Sequence, residues 1–469
     1  MPEAHRILTP TALGRYHIPS LSAERGASIM TPKYQPAIKI VLSDLHIGAG
    51  RVDQGNLLED FVQDDALIGL ISQLEEESQT RGLPMELVLN GDIFEFWQVP
   101  AVEENESYVP SKRYAARRYL RTREEDSCRR MRLIIQGHPS LFAVLARFIQ
   151  SEAPRRTLTI IKGNHDVQLH WEGVQTIIRQ ALGATKERYD LVLLPSRSIS
   201  REGVYIEHGS EYADAVNRHP NFDLPHHPRD PRRLRMVPGA TLSIRVINRL
   251  ERQHYWVTSV KPTSAVFWYL LRYDPWTALR MLVLALPLLP RWLWLHRPAT
   301  RTNRQLAREL RVLEAETQQE MANQGQARLP RCQHDGEGLA GLINLPSLQA
   351  VLDDEESGDD PLVVRGLLEE HSLHARLKQV AKLKVRQEQA CVVIFGHTHL
   401  PAAEPLEGGA VYINTGSWTW MLDLREQPAQ AWRRLIRHAD YGDIHHHLTY
   451  ARVDYDNDSR PRASLREAS

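Results

Sequence analysis

The sequence predicts an α/β protein: a layered core of β-sheets packed between helices, interrupted by a large and mainly helical insertion. Three observations predict it. Short runs dense in Ile, Val and Leu recur between amphipathic stretches, each run ends in a polar loop, and the rhythm breaks between 211 and 390. Strands alternating with helices imply a sheet buried on both faces, which is why the runs are continuously apolar rather than alternating.

Taken in order, residues 1–36 hold prolines at 2, 10, 19, 32 and 36 and read as a loosely packed N-terminal extension. "AIKIVLSDLHIG" (37–48) is a strand followed by a loop, and so are "MELVLNGDIFEFW" (85–97) and "TLTIIKGNHD" (157–166). "GVYIEHGS" (203–210), "CVVIFGHTH" (391–399) and "GAVYINTGSW" (409–418) repeat the pattern. Helical candidates fall near 56–80, 111–150 and 170–182. The core is therefore expected over 37–210 and 391–455, with 211–390 as a helical cap between two of its strands. Inside the cap, 301–324 and 363–386 have helical periodicity and "LDDEESGDD" (352–360) reads as a loop. Residues 456–469 read as a frayed polar tail.

Composition is that of an ordinary globular chain: 469 residues, 42% hydrophobic, 25% charged, with 58 basic residues balancing 58 acidic ones. Global charge names no partner. Cys128, Cys332 and Cys391 are odd in number and widely spaced, so the sequence offers no disulfide framework and no zinc pattern, as fits a reducing compartment. The first thirty residues hold no continuous apolar run of the signal-peptide kind, and the expected location is cytoplasmic.

The strand ends carry the chemistry. In order they deliver Asp44 and His46, Asp92, Asn164 and His165, His208, and His397 and His399. Strand ends in an open α/β sheet share one edge, where crevices form, so residues scattered over the chain converge there. Carboxylates, imidazoles and an amide suit borderline divalent cations: Mn²⁺ first, with Fe²⁺, Zn²⁺ or Co²⁺ as alternatives.

The set "DLH", "NGD", "GNHD", "EHG" and "GHTH", in that order, resembles the calcineurin-like metallophosphoesterase superfamily over about 37–210 and 391–420. The resemblance implies a dinuclear centre. One cation would be held by Asp44, His46, Asp92 and His399, and the other by Asp92, Asn164, His208 and His397, with Asp92 shared. It implies hydrolysis of a phosphomonoester, phosphodiester or pyrophosphate by metal-activated water, with His165 assisting the leaving oxygen. Asp166 then either orients the His165 ring or caps a helix over 167–182. "GDIFEFW" (91–97) is similar to the branch that includes UDP-2,3-diacylglucosamine hydrolases, although that branch usually has Arg at the position of His165 and a much shorter cap. Glu95 and Trp97 read as braces of their loop.

The cap adds a second theme. Between 225 and 311 there are 16 Lys/Arg against four Asp/Glu, interleaved with Trp256, Trp268, Trp276, Trp292 and Trp294. Basic and aromatic residues beside a phosphoesterase cleft suit an anionic or lipid-linked substrate, a phosphorylated small molecule, or peripheral membrane contact through 264–298 at the inner face; the alternative is a helical cap with an ordinary core and solvated arginines. The run "MLVLALPLLP" (281–290) is too short to span a bilayer, which needs about twenty residues. A nuclease of the same fold and a non-catalytic metal-binding scaffold are the rival readings. Nucleic acid is the less expected partner, because no long heptad region accompanies the core.

Overall fold

The computed structural model describes residues 36–288, 290, 332, 361–423, 428–438 and 446–468, except 185, 196, 214, 215, 220 and 262–265. The extension over 1–35, the helical pattern at 301–324, the loop at 352–360, and Trp292 and Trp294 lie outside the described residues.

Fifteen strands are described. The first six are β1 (Ile38–Leu42), β2 (Met85–Asn90), β3 (Arg156–Ile161), β4 (Val192–Leu193), β5 (Ser198–Arg201) and β6 (Val204–Glu207). The cap supplies β7 (His226–His227), β8 (Asp230–Leu234) and β9 (Val260–Lys261). Then follow β10 (Val392–Phe395), β11 (Pro401–Pro405), β12 (Val411–Thr415), β13 (Leu422–Asp423), β14 (Thr449–Tyr455) and β15 (Pro461–Glu467).

Two sheets form the core. One has the order β15-β14-β1-β2-β3-β4, with β1 to β4 parallel and β14 and β15 antiparallel. The other has the order β11-β12-β10-β6-β5, with β6, β10 and β12 parallel at its centre. Side chains alternate between two dry faces. In β1, Ile38, Ile40 and Leu42 meet the helices Asp64–Arg81 and Pro139–Ile149, while Val41 meets the other sheet. In β10, Val392 and Ile394 point between the sheets, and Val393 and Phe395 pack against the helix Pro361–Gln387. The result is a helix–sheet–sheet–helix stack, the layered class expected from the continuous apolar runs.

Three expectations change. The segment read as a frayed tail is edge strand β15, with Ala463 and Leu465 buried against the sheet. Its period of two, weakened by two arginines, was the available signal. Cys332 and Cys391 are joined in a disulfide, with Cα atoms 5.5 Å apart. A separation of 59 residues conceals from the sequence that the fold makes them neighbours. Finally, the cap and the second part of the core interlock. β9 pairs with β13, and Trp420, Leu422, Trp432 and Leu435 share a core with Trp256, Val260 and Tyr269 of the cap.

Candidate metal centre

Five parallel strands lead their loops toward one edge. Asp44, Asp92 and Asn164 follow β1, β2 and β3, while His208 and His397 follow β6 and β10. Asp44, His46 and His399 bring ligand atoms within 4.8 Å of one another, and so do Asp92, His208 and His397. A third such group is His46, Glu95 and His165.

The backbone holds this cluster tightly. Asp44, His46, Asp92, His397 and His399 all have positive φ, between 51° and 70°. Non-glycine residues adopt this region rarely and at a cost, so its concentration here marks loops bent to aim side chains. Two glycines allow the approach. A Cβ on Gly163 would lie 2.1 Å from Asp92 Oδ1, and one on Gly91, at φ +80°, would lie 2.5 Å from the His208 ring.

Hydrogen bonds fix the donors and leave some atoms over. Asp44 Oδ2 accepts from the His397 N–H at 2.9 Å, and Asp92 Oδ1 accepts from the His165 N–H at 2.8 Å. His208 Nδ1 donates to the Asn90 carbonyl at 3.0 Å, which directs Nε2 into the cluster, 3.2 Å from Asp92 Oδ2. Asp44 Oδ1 lies 3.3 Å from His399 Nε2, and His46 Nε2 lies 3.2 Å from the same atom. Asn164 Oδ1 is buried and makes no hydrogen bond, and Asp44 Oδ1 and His208 Nε2 are buried with only the charged neighbours just named. A buried polar atom without a partner is expensive, and a cation would satisfy Asn164 Oδ1 and draw in the other two. The donor set therefore fits divalent metal.

Charge follows the same logic. Burial opposes ionisation of Asp44, yet the nearby His208 and His399 hold its pKa down at about 2. Burial works against protonated His46 and His208 as well. The carboxylates of Glu95, Asp92 and Asp44 outweigh it for His46, raising it to about 9, and those of Asp92 and Asp44 raise His208 to about 10. His397 goes the other way, to about 3, through burial and the charge of His208. The buried carboxylates thus favour protons on the His46 and His208 imidazoles. Metal ligation requires neutral imidazole, so ions and protons compete for this site.

Glu95 is the residue whose role the sequence concealed. Its Oε2 accepts from His46 Nδ1 at 2.9 Å and from His165 Nδ1 at 2.5 Å, and its Oε1 accepts from the Trp97 N–H at 2.9 Å. One buried carboxylate thereby orients two imidazoles. The Trp97 ring stacks on His165 with centroids 3.6 Å apart. Glu95 and Trp97 do more than brace their own loop, because they also hold a residue seventy positions away. Asp166 takes neither expected role. Its carboxylate accepts from the backbone N–H groups of Ile93, Phe94 and Gly163 and makes no side-chain cap of the following turn, so it staples the "NGD" loop to the "GNHD" loop.

Above the cluster lies a cavity of about 220 Å³. His46, Glu95, His165 and His399 form its floor, and Ser243, Asn248 and Thr258 of the cap form part of its roof. Asp60 and Glu251 meet beside it. Gln98 Nε2 donates to both carboxylates at 3.0 Å, and the Thr258 hydroxyl lies 2.8 Å from Glu251. Sequence position gave no hint of this core-to-cap joint.

No protein family and no curated protein matches the chain. Among solved structures, a dimetal phosphatase from Danio rerio is 11% identical, with 93% of this chain and 100% of that one covered and a TM-score of 0.30. So loose a likeness carries no weight on function.

Proposed function

We propose that the chain is a dinuclear metal-dependent phosphoesterase, with Mn²⁺ as the first candidate metal. The observation that supports this most is the pair of adjacent donor groups, Asp44/His46/His399 and Asp92/His208/His397, flanked by the unpartnered Asn164 Oδ1. Asp44, His46, Asp92 and His399 would hold one ion, and Asp92, Asn164, His208 and His397 the other. When bound, such a pair supplies an activated water and neutralises charge on phosphoryl oxygens.

The remaining chemistry belongs to the chain. His165 is anchored at Nδ1 by Glu95, so its other nitrogen is the one available to protonate a departing oxygen. Trp97 restrains the ring by stacking, and cap residues line part of the cavity beside it. The cavity wall offers hydroxyls, amides and Asp60, but no Lys or Arg among the described residues. That lining suits an uncharged leaving group, such as a sugar, a polyol or a nucleoside, better than a second phosphate.

The test is direct. The purified chain, loaded with Mn²⁺, is assayed for metal content and for hydrolysis of phosphomonoesters, phosphodiesters and pyrophosphates. Two ions per chain and turnover that a chelator abolishes are expected. A folded chain that binds fewer than two ions, or that hydrolyses none of the three classes, overturns the proposal.

A further inference from the structure

The cap carries a feature that metal chemistry does not use. The helices Val266–Tyr273 and Pro275–Ala285 form a hairpin, with Asp274 at the corner accepting from the Thr277 N–H at 3.2 Å. One face of the hairpin is buried. Val266, Tyr269, Leu270 and Ala278 pack into the core shared with Trp256 and Trp432, and Tyr269 stacks on Trp432 at 4.6 Å.

The opposite face is apolar as well, and it is exposed. Trp268 and Leu271 lie three residues apart on the first helix. On the second, Trp276, Leu279, Leu282 and Val283 follow at helical spacing, and Trp276 is 75% exposed. A soluble helix ordinarily turns its polar residues outward. Here the outward side is also rich in large apolar side chains, with Arg272 and Arg280 among them, and exposed apolar residues clustered on one short hairpin mark an interaction surface.

We propose that this hairpin docks the protein on an anionic phospholipid surface, lying in the headgroup region rather than crossing it. Three observations favour lipid over a second copy of the chain. The charge is complementary: 225–311 holds 16 Lys/Arg against four Asp/Glu, and Arg272 and Arg280 are exposed on the hairpin itself. The three of those acids that lie among the described residues are engaged within the fold, with Asp230 on Arg232, Glu251 on Gln98 and Thr258, and Asp274 at the helix corner. Two copies meeting through this face would bring like charges together, whereas anionic headgroups would neutralise them. Exposed tryptophans suit the interface, where the ring is buried and the indole N–H still meets water. The dimensions agree too, since helices of 8 and 11 residues cannot span a bilayer and no described helix is long and apolar enough to do so.

Docking here has a consequence for the cleft. The second helix packs on the π-helical turn Ser243–Ile247, and Ser243 and Ile247 line the cavity over the candidate metal centre. A lipid surface bound at the hairpin would therefore lie one packed element away from the site. Docking at the hairpin requires no phosphoesterase activity of the cleft.

The experiment is co-sedimentation of the full chain with vesicles, either phosphatidylglycerol mixed with phosphatidylcholine or phosphatidylcholine alone. Binding to the anionic vesicles at low salt, weakened by added salt and by omission of phosphatidylglycerol, is expected. The double substitution Trp276→Ser and Val283→Ser should lower the binding constant roughly tenfold or more, as loss of buried apolar area predicts. Circular dichroism of that variant should match the parent, because both side chains are exposed. A folded chain that stays in the supernatant with anionic vesicles overturns the proposal, and so does a double variant that binds as well as the parent. Light scattering completes the test: a dimer that the same two substitutions convert to monomer assigns the face to a second copy and overturns docking on lipid.

Discussion

The strand-end loops and the cap hairpin break the same rule in opposite directions. Around Asp44, Asp92 and Asn164, polar atoms are buried and some lack a hydrogen-bond partner. On the hairpin, Trp276 and its neighbours are apolar and exposed. A chain selected only to fold would avoid both, since unpartnered buried polar groups and uncovered apolar area each cost stability. Each region makes sense once something absent from the chain alone is added, a cation in one and an apolar surface in the other. The two also differ in how tightly they are held. The loops are fixed by positive φ and by buried carboxylates, whereas the hairpin is anchored along one face only.

The largest expected effect tests the buried region. Asp92→Ala should abolish turnover and remove both metal equivalents in elemental analysis, because in the proposed centre that carboxylate is the ligand the two ions share. Retention of two ions at a near-normal rate would break the dinuclear assignment.

His165→Ala should lower turnover by about 10²–10⁴-fold with metal content unchanged. The loss should shrink for esters of p-nitrophenol, whose departing oxygen needs little protonation. An equal loss across leaving groups of different basicity would reassign His165 to positioning.

Glu95→Gln should cost about 10–100-fold in metal affinity or activity. A glutamine cannot accept on both oxygens from His46, His165 and the Trp97 N–H, so one donor must face another. Because Glu95 touches both imidazoles, the variant should change metal retention and leaving-group dependence together. A change in neither leaves it a structural carboxylate.

The hairpin gives a contrast within a few residues. Leu270→Ala, on the buried face, should destabilise by about 2–5 kcal/mol in denaturant unfolding. Trp276→Ser should stay within about 0.5 kcal/mol and leave hydrolysis of a soluble ester unchanged. Similar losses at both positions would mean that the outer face is covered after all.

An effect confined to pH concerns a buried imidazole whose partners lie within the fold. His138 Nδ1 lies 2.7 Å from Asp64 Oδ1, with Glu59 on its other side at 3.7 Å. Burial disfavours its charge, but the two carboxylates outweigh that and raise its pKa from 6.5 to about 9. A raised folded-state pKa gives stability that is complete below pH 6.5 and is lost as pH rises through about 9. His138→Gln should flatten that part of the pH–stability curve without touching metal content.

Much of the candidate site was legible because parallel strands deliver their loops to one edge. Asp44, Asp92, Asn164, His208, His397 and His399 each follow an apolar run, and hydrophobic patterning reads such runs well. What stayed hidden depends on contacts between distant loops. The reach of Glu95 to His165, the backbone bonds of Asp166 and the Cys332–Cys391 bridge leave no periodic trace. β15 was missed because charged residues on its open face masked the inward Ala463 and Leu465. The aromatic, apolar and basic character of 264–298 was visible, but its fold into two helices and which of their faces is covered are matters of tertiary packing.

The left-handed backbone at Asp44, His46, Asp92, His397 and His399 narrows the residues those positions can exchange. Asp, Asn and His tolerate that conformation, whereas β-branched and bulky side chains do not. Backbone shape therefore selects a short alphabet before ligand chemistry is consulted, and all five donors are drawn from it. Glu95, the longer carboxylate of the cluster, is not among the positive-φ residues. An Asp-to-Glu exchange that keeps the charge at Asp44 would thus disturb the loop more than an Asp-to-Asn exchange that discards it.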